Sequence, residues 1–138
     1  MKGSTALIAA LFALTSMSMA QEQLPMPDMT PEETVRMQVQ NIMMKDTMII
    51  TLPYHADITF YHFPDKVLAE GLDAAKKYWV DYAKGDEHVD YEFLSGEMVD
   101  DIFFARLMKV DHSQGGMQKY TYMLFQFEGK RIKAIYFF

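Results

Sequence analysis

Apolar positions recur with a helical period in the first half of the chain and with a period of two in the second. Val35, Val39, Ile42 and Met43 fall on one helical stripe. "TPEE" precedes them, with Thr30 placed to cap, Pro31 at the first helical position and Glu33 placed to complete a capping box. The pattern predicts a first helix ending near Met44 or Lys45. "KDTMIITL" (45–52) reads as a short second helix that Asp46 caps and Pro53 stops, because proline lacks the N–H and clashes with the preceding turn. A third helix is predicted over Leu72–Ala83, with Ala75, Tyr78, Trp79 and Tyr82 on one stripe and Gly85 closing it. From residue 88 onward the alternation predicts strands over 88–99, 101–110, 119–128 and 131–138, with turns at Asp100–Asp101, Asp111–Gly116 and Glu128–Lys130. One further strand, "ITFYHF" (58–63), is bulky on both faces. Ile58, Phe60 and His62 point one way, Thr59, Tyr61 and Phe63 the other, and Pro64 ends the run. His62 thus shares a face with Ile and Phe, either as a working group in a pocket or as a core histidine with a buried partner. Helices first and an antiparallel meander after make an α+β layout in one domain, without an internal repeat.

Composition changes the picture at the amino terminus. Lys2, the apolar run Ala6–Leu14 and "SMA" ending at Ala20 have the form of a cleaved signal peptide over 1–20. The apolar run is about half the roughly 20 residues a membrane anchor needs. The expected mature chain starts at Gln21 and is periplasmic or secreted, with no membrane contact after cleavage. "QEQLPMPDM" (21–29), with two prolines and no period, reads as an extended leader, and the domain as 30–138. The chain has no cysteine, so disulfides, a thiol nucleophile and a lipid-bearing cysteine are excluded. Net charge is −6 without a Lys/Arg cluster, which argues against nucleic acid or an anionic membrane as partner. Thirteen methionines raise thioether copper binding, prompted by Met26, Met29 and the Met43, Met44, Met48 group. Flexible packing of an irregular interior accounts for them more simply.

Three stretches resemble the nuclear transport factor 2-like superfamily, in particular its SnoaL-like and ketosteroid-isomerase-like members. "KDTMIITLPYHADITFY" is similar to the passage from a helix through an acidic turn into the first strand, with "YHAD" for the usual Tyr/Phe-Ala-Asp-Asp. "LAEGLDAAKKYW" is similar to the Gly-x-x-Ala helix entry, with Gly71, Ala74 and Ala75. "YMLFQFEGKRIKAIYFF" is similar to the closing hairpin. The resemblance spans Thr30 to Phe138. It implies a cone: a strongly curved, mostly antiparallel sheet packed on about three N-terminal helices, often around an apolar pocket. It also places His62 at the general-base position of the isomerase-like members. Their oxyanion-hole tyrosine and protonated acid fall near Gln38 and Met123. Both oxyanion donors are thus missing where expected, which argues against steroid-type isomerisation by that mechanism.

A pocket histidine titrates near neutrality and can still act as a base. The candidate pocket comprises Gln38, Tyr54, Ile58, Phe60, Tyr78, Tyr82, Met123 and Phe125. Lys119, Thr121, Met123, Phe125 and Phe127 share a strand face that would supply apolar walls and a few polar points. Tyr54, Tyr78 and Tyr82 are the partners offered to His62 from the helical side. His55 and Asp57 are two potential metal ligands without a third, so Asp57 reads better as a turn cap and no metal is expected. Asp111–His112 reads as a solvated loop; Arg106, between Phe104 and Met108, either pairs with a carboxylate or meets an anionic ligand, the structural pair being the simpler expectation. No nucleophile elbow or phosphate loop is present, and no cofactor is implied. Two functions remain open. One is an exported pocket domain for a small, largely apolar molecule, with or without isomerase-, lyase- or hydrolase-type chemistry at His62. The other is a non-catalytic interaction module with a filled cone. In either case the second apolar sheet face suggests a homodimer.

Overall fold

A computed structural model describes residues 23–85 and 89–138; the expected signal peptide lies outside them. Thr30 caps helix α1 (Pro31–Met44), its Oγ1 accepting from the Glu33 N–H at 3.2 Å. The helix buries Thr34, Val35, Gln38, Val39, Asn41 and Ile42 as one stripe. Lys45 ends it in the left-handed region, φ 53°.

The next segment corrects the expected second helix. Residues 47–53 form successive turns, with Leu52 N–H bonded to Ile49 C=O and Tyr54 N–H to Thr51 C=O. The stretch is too short to offset helix nucleation, and Thr47, Ile49, Ile50 and Thr51 are β-branched. Only Ile50 and Pro53 within it are fully buried, while Met48 and Ile49 face solvent. Among the described residues there are therefore two α-helices rather than three, and the second is not N-terminal to the sheet.

Strand β1 (Tyr54–His62) turns back into β2 (Lys66–Glu70), followed by helix α2 (Leu72–Lys84). Then come β3 (Val89–Val99), β4 (Ile102–Asp111), a 3-10 turn, β5 (Met117–Glu128) and β6 (Arg131–Phe137). The six strands form one mixed sheet in the order β2-β1-β6-β5-β4-β3. Only β1 and β6 pair in parallel; the other neighbours are antiparallel. β2 escaped the sequence reading because it is an edge strand: Val67 and Leu68 are exposed and Ala69 alone is buried.

Helix α2 packs on β1 and β2, and α1 on β3 and β4, so one sheet face carries the core. Bulges at Phe60/Tyr61, Phe93/Ser95 and Gln126/Phe127 interrupt the ladders, and such bulges bend a strand and sharpen its twist. The leader is tied down. Arg131 donates from Nη1 to the Leu52 carbonyl and from Nη2 to the Leu24 carbonyl, both at 2.6 Å, and Lys130 pairs with Asp28 at 3.1 Å.

Gly96 in β3 marks a close approach. A Cβ there would lie 2.4 Å from the Phe103 ring and 2.8 Å from the Phe104 carbonyl oxygen. Phe103 is buried, so its ring has little room to yield. Gly96→Ala is expected to destabilise by about 1–3 kcal/mol through overpacking. Urea unfolding of the two proteins checks it, and an unchanged midpoint would refute the close approach.

Candidate functional site

The deep interior is solid. Tyr54, at the start of β1, is fully buried, and its Oη accepts from Gln38 Nε2 at 2.6 Å and Trp79 Nε1 at 2.7 Å. Burial pushes the Tyr54 phenol far above its ordinary range, so it serves as a neutral hydrogen-bonding group and not as a base. Gln38 Oε1 and Asn41 Nδ2 are buried without a hydrogen bond among the described residues. Phe60 is the hub of an aromatic cluster, edge-on to Tyr54, Tyr78, Trp79 and Phe137 at centroid distances of 5.5, 5.3, 5.7 and 5.6 Å. Ile58 and Phe125 complete this layer, both fully buried. The expected pocket positions Gln38, Tyr54, Ile58, Phe60 and Phe125 are thus packed core.

Beside that plug a cavity of about 220 Å³ remains, lined by Tyr78, Tyr91, Lys109, Lys119, Thr121, Tyr122, Met123, Phe137 and Phe138. Strand register explains its composition. Tyr91, Lys109 and Lys119 lie opposite one another across β3, β4 and β5. Phe93, Leu107 and Thr121 form the next row, and Ala105, Met123, Phe137 and His62 the one after. Of the expected pocket residues, Tyr78 and Met123 line this space. Tyr82 does not, because its hydroxyl bonds the Val89 carbonyl at 3.0 Å.

His62 keeps the parity read from the sequence, in register with inward-facing Phe137, but it sits on the last residue of β1 and is exposed. Its backbone pairs with Lys66 and Phe137 in the sheet, but no hydrogen bond or ion pair reaches its side chain among the described residues. The expectation of a buried imidazole with a tyrosine or carboxylate partner is therefore corrected. The strand ends before the helical layer can cover it.

The other candidates have structural partners. His55 Nδ1 accepts from the Asp57 N–H at 3.0 Å while Nε2 meets Glu128 at 2.9 Å, so both ring nitrogens are engaged at the start of β1, and Asp57 lies in that strand and not in the expected turn. No cluster of three potential metal ligands occurs among the described residues. His112 pairs with Asp90 at 2.7 Å on the surface. Asp111 is held below its usual range by its hydrogen bond from the Ser113 hydroxyl. Met43 accepts from the Tyr91 N–H through its sulfur, whereas Met44 and Met48 are exposed. Arg106 stacks over Tyr120 at 4.3 Å on the outer sheet face, in place of the expected carboxylate pair. A larger groove of about 470 Å³ lies on that outer face between Ser95, Gly96, Glu97, Phe104, Arg106 and Tyr122. It is open to solvent and has no enclosing helix, so it is a surface feature.

Sequence reading reached Lys119, Thr121 and Met123 but missed Lys109, Tyr91 and Phe137. The signal was present, since Lys109 continues the inward alternation Phe103, Ala105, Leu107. A lysine near a strand end simply reads as solvated.

No protein-family model matches the chain, and no curated protein is similar to it in sequence. Solved structures are similar in fold. A cystatin-fold protein from Novosphingobium aromaticivorans has a TM-score of 0.68 at 15% identity, covering 80% of this chain and 98% of that one. A nuclear transport factor 2-like protein from Cytophaga hutchinsonii has a TM-score of 0.63 at 13% identity, over 83% and 93%. A protein with a ketosteroid isomerase-like fold from Catenulispora acidiphila, solved with trimethylamine, has a TM-score of 0.64 at 15% identity, over 80% and 86%. The helix–hairpin–helix–meander order, the mixed sheet and these likenesses agree: the chain has the nuclear transport factor 2-like fold, the one its sequence resembles.

Proposed function

We propose that this chain is an exported pocket domain that binds a small, largely apolar molecule in the cavity between α2 and the inner face of β3–β6. The observation that carries the reading is the cavity itself. Tyrosine and phenylalanine rings with Met123 form its apolar wall, and Lys109, Lys119, Thr121 and the tyrosine hydroxyls give it a polar share at least as large. Its volume, about 220 Å³, is below the roughly 300–1,000 Å³ typical of drug-sized ligands, so the ligand is about the size of one ring with a short chain. In this reading the open, bulged sheet curves over the helices, and the Phe60 cluster fills the deep end of the space between them. The neighbour solved with trimethylamine supports a ligand-holding use of the fold, although fold alone does not carry function. His62 stands at the edge of the same row as Met123 and Phe137, where it meets a ligand from solvent; any acid–base step falls to it.

Trp79 is the chain's only tryptophan and packs against Tyr78 and Phe137, both cavity residues. Its emission is expected to respond saturably to phenylbutanol, and Met123→Trp, which fills the cavity, should abolish binding without unfolding the protein. Since that variant adds a second fluorophore, calorimetry reads it. An unaltered affinity in Met123→Trp would overturn the assignment.

The outer face suits a second copy of the chain. Phe104, Tyr120 and Tyr122 are exposed there, and Tyr61 stacks on Tyr136 at 4.9 Å in the same layer. Sedimentation at micromolar concentration is expected to show two chains per particle, and Tyr120→Glu with Phe104→Glu to show one. A single-chain particle for the unaltered protein rejects the dimer.

A further inference from the structure

We infer that the ligand of this cavity is an anion: an amphipathic carboxylate whose charged end lies between Lys109 and Lys119 and whose apolar end rests on Met123 and Phe137. The inference rests on the pocket reading above and specifies its chemistry. Lys109 and Lys119 are direct cross-strand partners on the inner face, and both line the cavity. Like charges directly opposite on a sheet repel, an arrangement that weakens strand pairing unless something neutralises it. In a chain of net charge −6 carboxylates are plentiful, and Lys77, Lys130 and Lys133 each have one within ion-pair distance. Neither Lys109 nor Lys119 forms an ion pair among the described residues. Asp111 is near enough in charge to feel Lys109, but its carboxylate is engaged by Ser113.

The residues along the cavity run from charged to apolar. Lysines stand at one end, Thr121 supplies a hydroxyl in the middle row, and Met123 and Phe137 form the inner wall. A cationic ligand would meet two ammonium groups, and a wholly apolar one would leave them facing each other. A carboxylate accepts from both, and charge-assisted bonds of that kind are the stronger class.

The test compares phenylbutyrate with phenylbutanol, which differ at the charged end only, by isothermal titration at low salt. The acid is expected to bind about tenfold more tightly, as two partly exposed charge pairs allow. That advantage, read as the ratio of the two affinities within each protein, should vanish in the Lys109→Gln/Lys119→Gln double variant and shrink with added salt. If acid and alcohol bind equally, or the acid's advantage survives the double variant, the anion inference is overturned and the pocket reading stands. If neither compound binds, both readings fall. Circular dichroism of the double variant confirms its fold.

Discussion

Phe60→Ala is expected to remove about 3–5 kcal/mol of stability, the range for losing a large aromatic from a core that cannot close the gap. Phe60 has no exposed surface and touches rings from β1, α2 and β6. Each of those rings has other commitments. Tyr54 is fixed by two hydrogen bonds, Trp79 by one of them, and Phe137 by its stack on Tyr78 at 5.7 Å. Collapse into the void is therefore restricted. Phe60→Leu, which keeps most of the volume, should cost markedly less. Urea denaturation measures both. A loss below about 1 kcal/mol for Phe60→Ala would mean that the interior is loosely filled, contrary to the mutational range for packed cores.

Tyr54→Phe is expected to be the most damaging change that leaves shape intact. It strands two buried donors, Gln38 Nε2 and Trp79 Nε1, at a cost of about 1–3 kcal/mol for each group left unmade. The same phenol makes stability depend on alkaline pH. Burial raises its folded pKa above the unfolded value, so its contribution is present below about pH 10 and is lost above it, at about 1.4 kcal/mol per pH unit. In an alkaline absorbance titration, one of the eight tyrosines should ionise only as the protein unfolds. In Tyr54→Phe that late tyrosine should be missing. If all eight in the unaltered protein ionise before unfolding, the buried knot does not exist in solution.

The sequence was most legible where a period was long and its punctuation explicit. Thr30-Pro31 and the Val35–Val39–Ile42 stripe set α1, and the meander's alternation set β3 to β6 within a residue or two. It was least legible where tertiary context decides. "KDTMIITL" has caps and a stop but too few residues to nucleate, and β2 has almost no buried face to announce it. The site divides in the same way. Inward parity was readable residue by residue, His62 included. What parity could not show is depth along the strand, which makes Phe60 a plug, leaves His62 at the rim and puts Lys109 beside Lys119 in the cavity.

The central claim, that a small apolar molecule occupies the space beside Met123, is tested most directly by methionine-methyl NMR during titration with phenylbutanol. Met123 is buried on the cavity wall, Met48 is exposed in the turn before β1, and Met108 lies on the outer sheet face beside Tyr120. The account predicts a saturable shift of the Met123 methyl with Met48 and Met108 unmoved. A shift confined to Met48 or Met108, or a Met123 methyl that does not move at saturation, would contradict it.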